Sequence, residues 1–237
     1  MRILITGGSR GIGKALVERF STPENKVAFI YRSNHEAAND LASCCGALPF
    51  CADLSKPDET NKAVENAINA LGGIDVLINN AGISQIKLFT DISNEDWQNV
   101  INTNLSSAFY TSRAVLPLMI AQKNGRIINI GSMWGKVGAS CEVHYSASKA
   151  ALRGFTMALA KEVGPSGITV NAIEPGVIMT EMNSSLDNDT LNALCDETPL
   201  CRLGTPEDVS ALAYFLASKE ASFITGQIIG VDGGFAI

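Results

Sequence analysis

Short apolar runs alternate with longer stretches of helical periodicity along the chain, and this alternation limits the fold more than any other feature. Arg2–Thr6, Lys26–Tyr31, Leu48–Cys51, Asp75–Asn79, Arg126–Ile130, Ile168–Ile173 and Gln227–Val231 read as strands. Helical patterns lie at Ile12–Phe20, Glu36–Ala42, Asp58–Leu71, Asp96–Met119 (as two helices), Tyr145–Val163 and Pro206–Ala217. Strands separated by helices of this length build βαβ units, and so a parallel sheet. Runs such as VLIN and RIINI are apolar, as in strands covered on both faces. Punctuation agrees: Ser55 and Pro57 open one helix, GPSG closes another, and Pro206 begins the last. No linker or repeat divides residues 1–237. The expected fold is α/β: a single doubly wound domain, a parallel seven-stranded sheet with helices on both faces. Residues 180–199 are polar and irregular, and are expected to form a substrate lid.

With 237 residues, 46% of them hydrophobic, the chain can bury a sizeable core. A formal net charge of -6 and singly scattered basic residues argue against nucleic-acid binding by phosphate neutralisation. No apolar segment approaches the roughly 18 residues of a membrane helix. The first apolar run ends in glycines by Gly7, unlike a signal peptide. A cytoplasmic protein without membrane contact is expected. Cys44, Cys45, Cys51, Cys141, Cys195 and Cys201 contain no C-x-x-C pair and no zinc spacing, so free thiols and no metal are expected.

The segment LITGGSRGIGKAL joins the first strand to the first helix. Gly7, Gly11 and Gly13 permit a tight turn and let backbone N–H groups at a helix N-terminus approach a pyrophosphate. An ordinary glycine-rich turn is the plainer alternative. In a dinucleotide-binding fold the second strand ends on an acid that binds ribose hydroxyls. Here FIYRSN has none; Arg32 stands in its place, and Arg10 lies in the glycine loop. Either arginine alone reads as a solvated surface residue. Together, two guanidinium groups can pair with a 2′-phosphate, which favours NADPH/NADP+ over NADH.

These motifs, with CADLS, NNAG, NTNLSSAF, IGSMWG, YSASK, EPGVIMT and ITGQIIGVDGG in order, resemble the short-chain dehydrogenase/reductases over essentially the whole chain. The resemblance implies a Rossmann-type domain. It implies a cofactor loop of Gly7, Ser9, Arg10, Gly11, Ile12 and Gly13, an adenine-contacting turn with Asp53 and Leu54, and a fourth-strand motif contributing Asn80, Ala81 and Gly82. Pro175, Gly176, Ile178 and Thr180 belong to the segment that resembles the family's nicotinamide-holding turn.

On a helix, Tyr145 and Lys149 share a face. A tyrosine of pKa near 10 is a poor proton partner at neutral pH, and a nearby ammonium is expected to bring it down. The resemblance further implies that Lys149 holds the nicotinamide ribose hydroxyls and Ser132 bonds the substrate carbonyl. By the same resemblance Tyr145 delivers the proton and Asn104, chosen over Asn102 because NLSSAF fits the family wording, holds a water linking Lys149 to solvent. Taken singly, Tyr145 reads as packing, Lys149 as solvated and Ser132 as a cap. Met133, Trp134 and Met182 line a substrate pocket or belong to the core. His144, next to Tyr145, is expected to face elsewhere, and Cys141 to be a buried small thiol.

The likeness is greatest to the 3-oxoacyl-acyl-carrier-protein reductases, through RLGTPEDVSALAYFLASKEASFITGQ and the final VDGG. The substrate would then be a ketone on a carrier-protein thioester. Where those reductases tend to carry a basic residue before the sixth strand, this chain has Ser166; Lys123 and Arg126 stand as candidates for a basic patch. The run GASCEV, with Trp134, resembles a smaller branch that reduces a 5-aminopentanone group on a lysine of elongation factor P. A non-catalytic NADPH-binding regulatory module is the reading from another class. The resemblance also implies a homotetramer or homodimer, with a C-terminal GGFAI strand buried between subunits.

Overall fold

In the computed structural model, which describes residues 1–181 and 187–237, seven strands form one sheet. They are β1 (Arg2–Thr6), β2 (Lys26–Tyr31), β3 (Leu48–Cys51), β4 (Val76–Asn79), β5 (Gly125–Ile130), β6 (Ile168–Pro175) and β7 (Ile228–Val231). Their order is β3-β2-β1-β4-β5-β6-β7, with every neighbouring pair parallel. The expected α/β architecture is therefore the observed one. Strand order reverses between β1 and β4, and the crevice outside the carboxyl ends of strands at such a point is where this architecture binds ligands.

Helices cover both faces. On one, α1 (Gly11–Phe20), α2 (His35–Cys45) and α9 (Pro206–Ala217) pack Leu16, Leu41 and Val209 against Ile5, Phe29 and Ile128. On the other, α3 (Pro57–Leu71), α5 (Ser107–Gln122) and α7 (Val143–Val163) pack Val64, Met119 and Val163 against Ile30, Leu77 and Ile127. Adjacent residues such as Phe29 and Ile30 thus serve opposite cores, which is the period-2 geometry of a strand. Burying each such side chain contributes about 1.5–3 kcal/mol.

Local chemistry sets the helix ends. Ser93 and Asp96 form a capping box at the start of α4 (Asn94–Ile101), and Thr205 and Asp208 form another at α9. Between α4 and α5, Asn102–Ser106 is a single π-helical turn, so the expected two helices are joined without a loop. A short helix, α6 (Trp134–Val137), follows β5.

Two expectations are corrected. Residues 180–199 are not irregular throughout, because α8 (Asn188–Glu197) forms there, capped by Asp187, whose side chain accepts from Thr190 N. GGFAI is not a strand: it is a turn after β7, with Phe235 edge-on to Trp134 at 5.7 Å.

Candidate active site

Strand ends meet at the crevice, and Thr6, the last residue of β1, ties its own strand to the end of β4. Its Oγ1 accepts from Asn80 N at 2.9 Å and Ala81 N at 3.0 Å, while its carbonyl accepts from Asn80 Nδ2 at 3.0 Å. Asn80 Nδ2 also donates to Gly7 O at 3.1 Å. The NNAG segment is thereby locked to the glycine loop. Gly13 lies so close under that loop that a Cβ there would sit 1.9 Å from Gly7 O, and Gly7 itself has φ +66. Neither position admits a larger residue without moving the turn. The first bond of α1 runs from Lys14 N to Arg10 O. The N–H groups of Gly11, Ile12 and Gly13 precede it and form the positive end of the helix.

At the β2 and β3 ends, Arg32 is exposed and lies in the field of Asp53 and Lys56. Asp53 Oδ1 accepts from Ser55 N at 3.0 Å and Ser55 Oγ at 2.7 Å, and its own N–H donates to Glu59. Burial raises the Asp53 pKa, but the Ser55 bonds, Arg32 and Lys56 outweigh it and hold the carboxyl below its ordinary value. Leu54 is buried beside it. Arg10 is exposed, 3.9 Å from Glu181. The two arginines thus come from the loop after β1 and the end of β2, each with an acid near it.

At the other end, Gly82, Asn104 and Lys149 converge. A Cβ on Gly82 would lie 3.4 Å from Lys149 Nζ and 3.5 Å from Asn104 Oδ1, so this glycine keeps space open beside the ammonium. Asn104 sits in the π turn, a distortion frequent at functional sites. Its amide is engaged: Oδ1 accepts from Ile83 N at 2.8 Å, and Nδ2 donates to Ile83 O and Ser148 Oγ. Ser132, just past β5, is buried and its Oγ accepts from Trp134 N. Pro175 O accepts from Met133 N at 3.0 Å, and Gly176 N donates to Val231 O at 3.0 Å, which fixes the turn after β6. Ile178 bridges to Gly204, and Thr180 lies over Gly11. Ser9 and Ile12 lie in the glycine loop and first turn of α1.

The electrostatics differ from the expectation for Tyr145. Burial pushes its phenol up to about 12, a Ser132 hydrogen bond opposes the rise, and Glu142 adds to it. Burial also brings Lys149 down to about 8. The ammonium donates to Ile130 O at 2.9 Å and lies 5.7 Å from the Tyr145 ring centroid, so its hydrogen bond goes to a strand carbonyl and not to the phenol.

Other candidates separate. Met133 is core, Trp134 is half-buried against Phe235, and Met182 lies outside the described residues. His144 is fully buried with Nε2 3.2 Å from Gln85 Oε1, its Nδ1 without a partner among the described residues. Cys141 is half-buried with φ 61, not a core thiol. Lys123 precedes β5 and Arg126 is its second residue, whereas Ser132 follows its end, so both lie toward the opposite end of that strand from Ser132.

Thr6 and the supporting layer beneath the site were missed in the sequence. Asn79 Nδ2 donates to Asn129 Oδ1 at 2.9 Å and to Ser112 Oγ, Thr111 Oγ1 donates to Asn79 Oδ1, and Asn129 Nδ2 donates to Thr156 Oγ1. The available signal was an Asn at the end of one apolar strand, Asn79, and next to the end of another, Asn129.

The geometry is accompanied by sequence likeness. A family model described as enoyl-(acyl carrier protein) reductase matches residues 7–236. The chain is 41% identical to a 3-oxoacyl-acyl-carrier-protein reductase of Chlamydia muridarum, covering 98% of this chain and 96% of the relative. It is 39% identical to that of Aquifex aeolicus, over 98% and 95%, and 40% identical to that of a Synechocystis strain, over 99% and 96%.

Proposed function

The chain belongs to the short-chain dehydrogenase/reductase family, and from that membership we propose that it reduces the ketone of a 3-oxoacyl thioester to a secondary alcohol with NADPH. As a member of that family it is an oxidoreductase acting on carbonyl or alcohol groups. The observation that carries the finer reading is the convergence of Ser132, Tyr145, Lys149, Asn104 and Gly82 where strands of the doubly wound sheet end. Relatives named as 3-oxoacyl reductases support the substrate.

The residues present fit a dinucleotide. Gly7 and Gly13 form a cradle that any Cβ would fill, and Gly82 leaves room beside Lys149. Bound there, NADPH supplies a hydride to the carbonyl carbon. The N–H groups of Gly11, Ile12 and Gly13 bind pyrophosphate, with Ser9 in the same loop. Arg10 and Arg32 bind the 2′-phosphate; Asp53 and Leu54 flank the adenine; Asn80 and Ala81 hold the loop. Pro175, Gly176, Ile178 and Thr180 seat the nicotinamide, and the Lys149 ammonium binds its ribose. Ser132 Oγ–H donates to the substrate carbonyl, which orients it, and Tyr145 O–H gives that oxygen its proton. Asn104, in the π turn beside Lys149 with its side chain bonded to Ile83 and Ser148, would hold the water that links Lys149 to solvent. We place the protein in the cytoplasm; among the described residues no helix is long and apolar enough to cross a membrane.

The test is NADPH oxidation with acetoacetyl thioester, run for wild type and Tyr145→Phe. General acid catalysis contributes about 10²–10⁴-fold, and the variant should lose that much kcat while keeping NADPH affinity within a few-fold. NADPH binding by wild type without turnover would transfer the reading to the 5-aminopentanone on elongation factor P. Inactivity there as well would leave a regulatory NADPH-binding module.

A further inference from the structure

Helix α7 presents more to the sheet than Tyr145 and Lys149. Arg153 lies four residues beyond Lys149, and Thr156 three beyond Arg153, on the same side of the helix. Each of the three is tied to a different strand group. Lys149 Nζ donates to Ile130 O at 2.9 Å, Thr156 Oγ1 accepts from Asn129 Nδ2 at 2.9 Å, and Arg153 Nη1 donates to both carboxylate oxygens of Glu174 at 2.8 and 2.6 Å.

The Arg153–Glu174 tie is charged, and it lies next to the proposed nicotinamide turn. Glu174 is 4% exposed and immediately precedes Pro175, the last residue of β6, and Gly176 of the turn that follows. A Cβ on Gly131 would lie 3.1 Å from Glu174 Cγ, so the carboxylate occupies the gap between the serine segment and α7. Lys136 and Asp232 contribute to the same field. A buried ion pair is weak evidence for stability, since well-packed apolar residues often serve equally well. What a charge-assisted bond to both carboxylate oxygens adds is geometry.

We infer that Arg153 and Glu174 are positioning residues: their ion pair fixes the helix carrying Tyr145 and Lys149 against the Pro175–Gly176 turn, and so sets the spacing between the two protein contacts of the nicotinamide riboside. The inference rests on the cofactor reading above. It concerns the nicotinamide half of the site alone, because the glycine loop, Arg10 and Arg32 sit on other elements.

The test compares affinities of the full chain for NADPH and for 2′,5′-ADP, which lacks the nicotinamide half. The variants are Arg153→Met, Glu174→Gln, the double substitution R153M/E174Q, and the conservative Arg153→Lys. The double variant removes the tie without stranding a buried charge, so it guards against misfolding of the singles. NADPH should weaken about tenfold in the first three, 2′,5′-ADP should stay within about twofold, and Arg153→Lys should keep most of the NADPH affinity. Equal weakening of both ligands, or unchanged NADPH binding with only a lower melting temperature, would overturn the positioning role. Because binding is read without turnover, a wild type inactive on the thioester would fail the substrate reading and leave this comparison decisive.

Discussion

Tyr145 and Lys149 depart from their ordinary values in opposite directions, and one of them falls in an accessible range. With its phenol near 12, Tyr145 keeps its proton over any working pH, which is the form a proton donor to a carbonyl needs. Lys149, near 8, is charged below that value and loses its charge as pH rises through it. The charged form is the one that donates to ribose hydroxyls. For reduction, kcat/KM should therefore be level on the acid side and fall about tenfold per pH unit above about 8. A profile that rises on the alkaline side would show that the phenolate, and not the phenol, is the working form. At the other end of the site, Arg32 lies exposed with Asp53 and Lys56 in its field. Hydrogen bonds to charged groups are worth about 1.5–3 kcal/mol. Arg32→Ala should raise the NADPH dissociation constant about 10–100-fold and leave that of NADH unchanged, as titration of each would show. Equal losses for both would remove Arg32 from the 2′-phosphate.

At the scale of elements, the two covered faces of the sheet change character toward the strand ends. On the α3–α5–α7 face, Leu77 is followed two residues on by Asn79, Ile127 by Asn129, and Val170 by Ala172 and then Glu174. The partners of Asn79, Asn129 and Glu174 all come from α5, α7 or each other. Asn129→Leu leaves Asn79 and Thr156 each short of a partner in a dry interior. It should cost about 1–3 kcal/mol, a fall of roughly 2–10 °C in melting temperature. An unchanged melt would mean the layer tolerates an apolar neighbour. Strand and helix positions were legible because apolar periodicity and caps are local, and Gly7, Gly13, Tyr145 and Lys149 stand at fixed spacings. The polar layer was not, because pairing Asn79 with Asn129 depends on strand order, and VLIN and RIINI carry no record of which strand lies beside which. Arg153 carries no sequence signal for the same reason: its partner is 21 residues away, across the helix–sheet interface. Lys149 misled in the other direction, since helical spacing to Tyr145 says nothing of the Ile130 carbonyl that holds its ammonium.

On the scale of the whole molecule, two features of the surface bear on assembly and on motion. Phe109, Ile120 and Met157 are exposed on α5 and α7, with Arg113 stacked over Phe109 at 4.8 Å. These faces suit the homotetramer or homodimer proposed from the family likeness. Phe109→Glu should then lower the molar mass seen by light scattering, and a wild type that already runs as a monomer would end that reading. The second feature is the cleft of about 560 Å³ between α1 and the chain that follows β6, lined by Gly11, Lys14, Met179, Thr180 and Leu191. Helix α8 forms part of this wall, yet none of its residues from Asp189 to Glu197 is buried. Met179 and Leu200, at 64% and 65% exposure, lie open beside it. An element with so little buried surface opens at low cost, and covering those side chains favours closure at about 25 cal/mol per Å² of apolar surface. We therefore expect α8 to act as the moving part of the lid. Hydrogen exchange should slow about tenfold or more across α8 when NADPH and substrate bind, while β1, β4 and β5 stay unchanged. If α8 exchanges at the same rate with the site filled, closure does not involve this helix, and the cleft is only the edge of an open site.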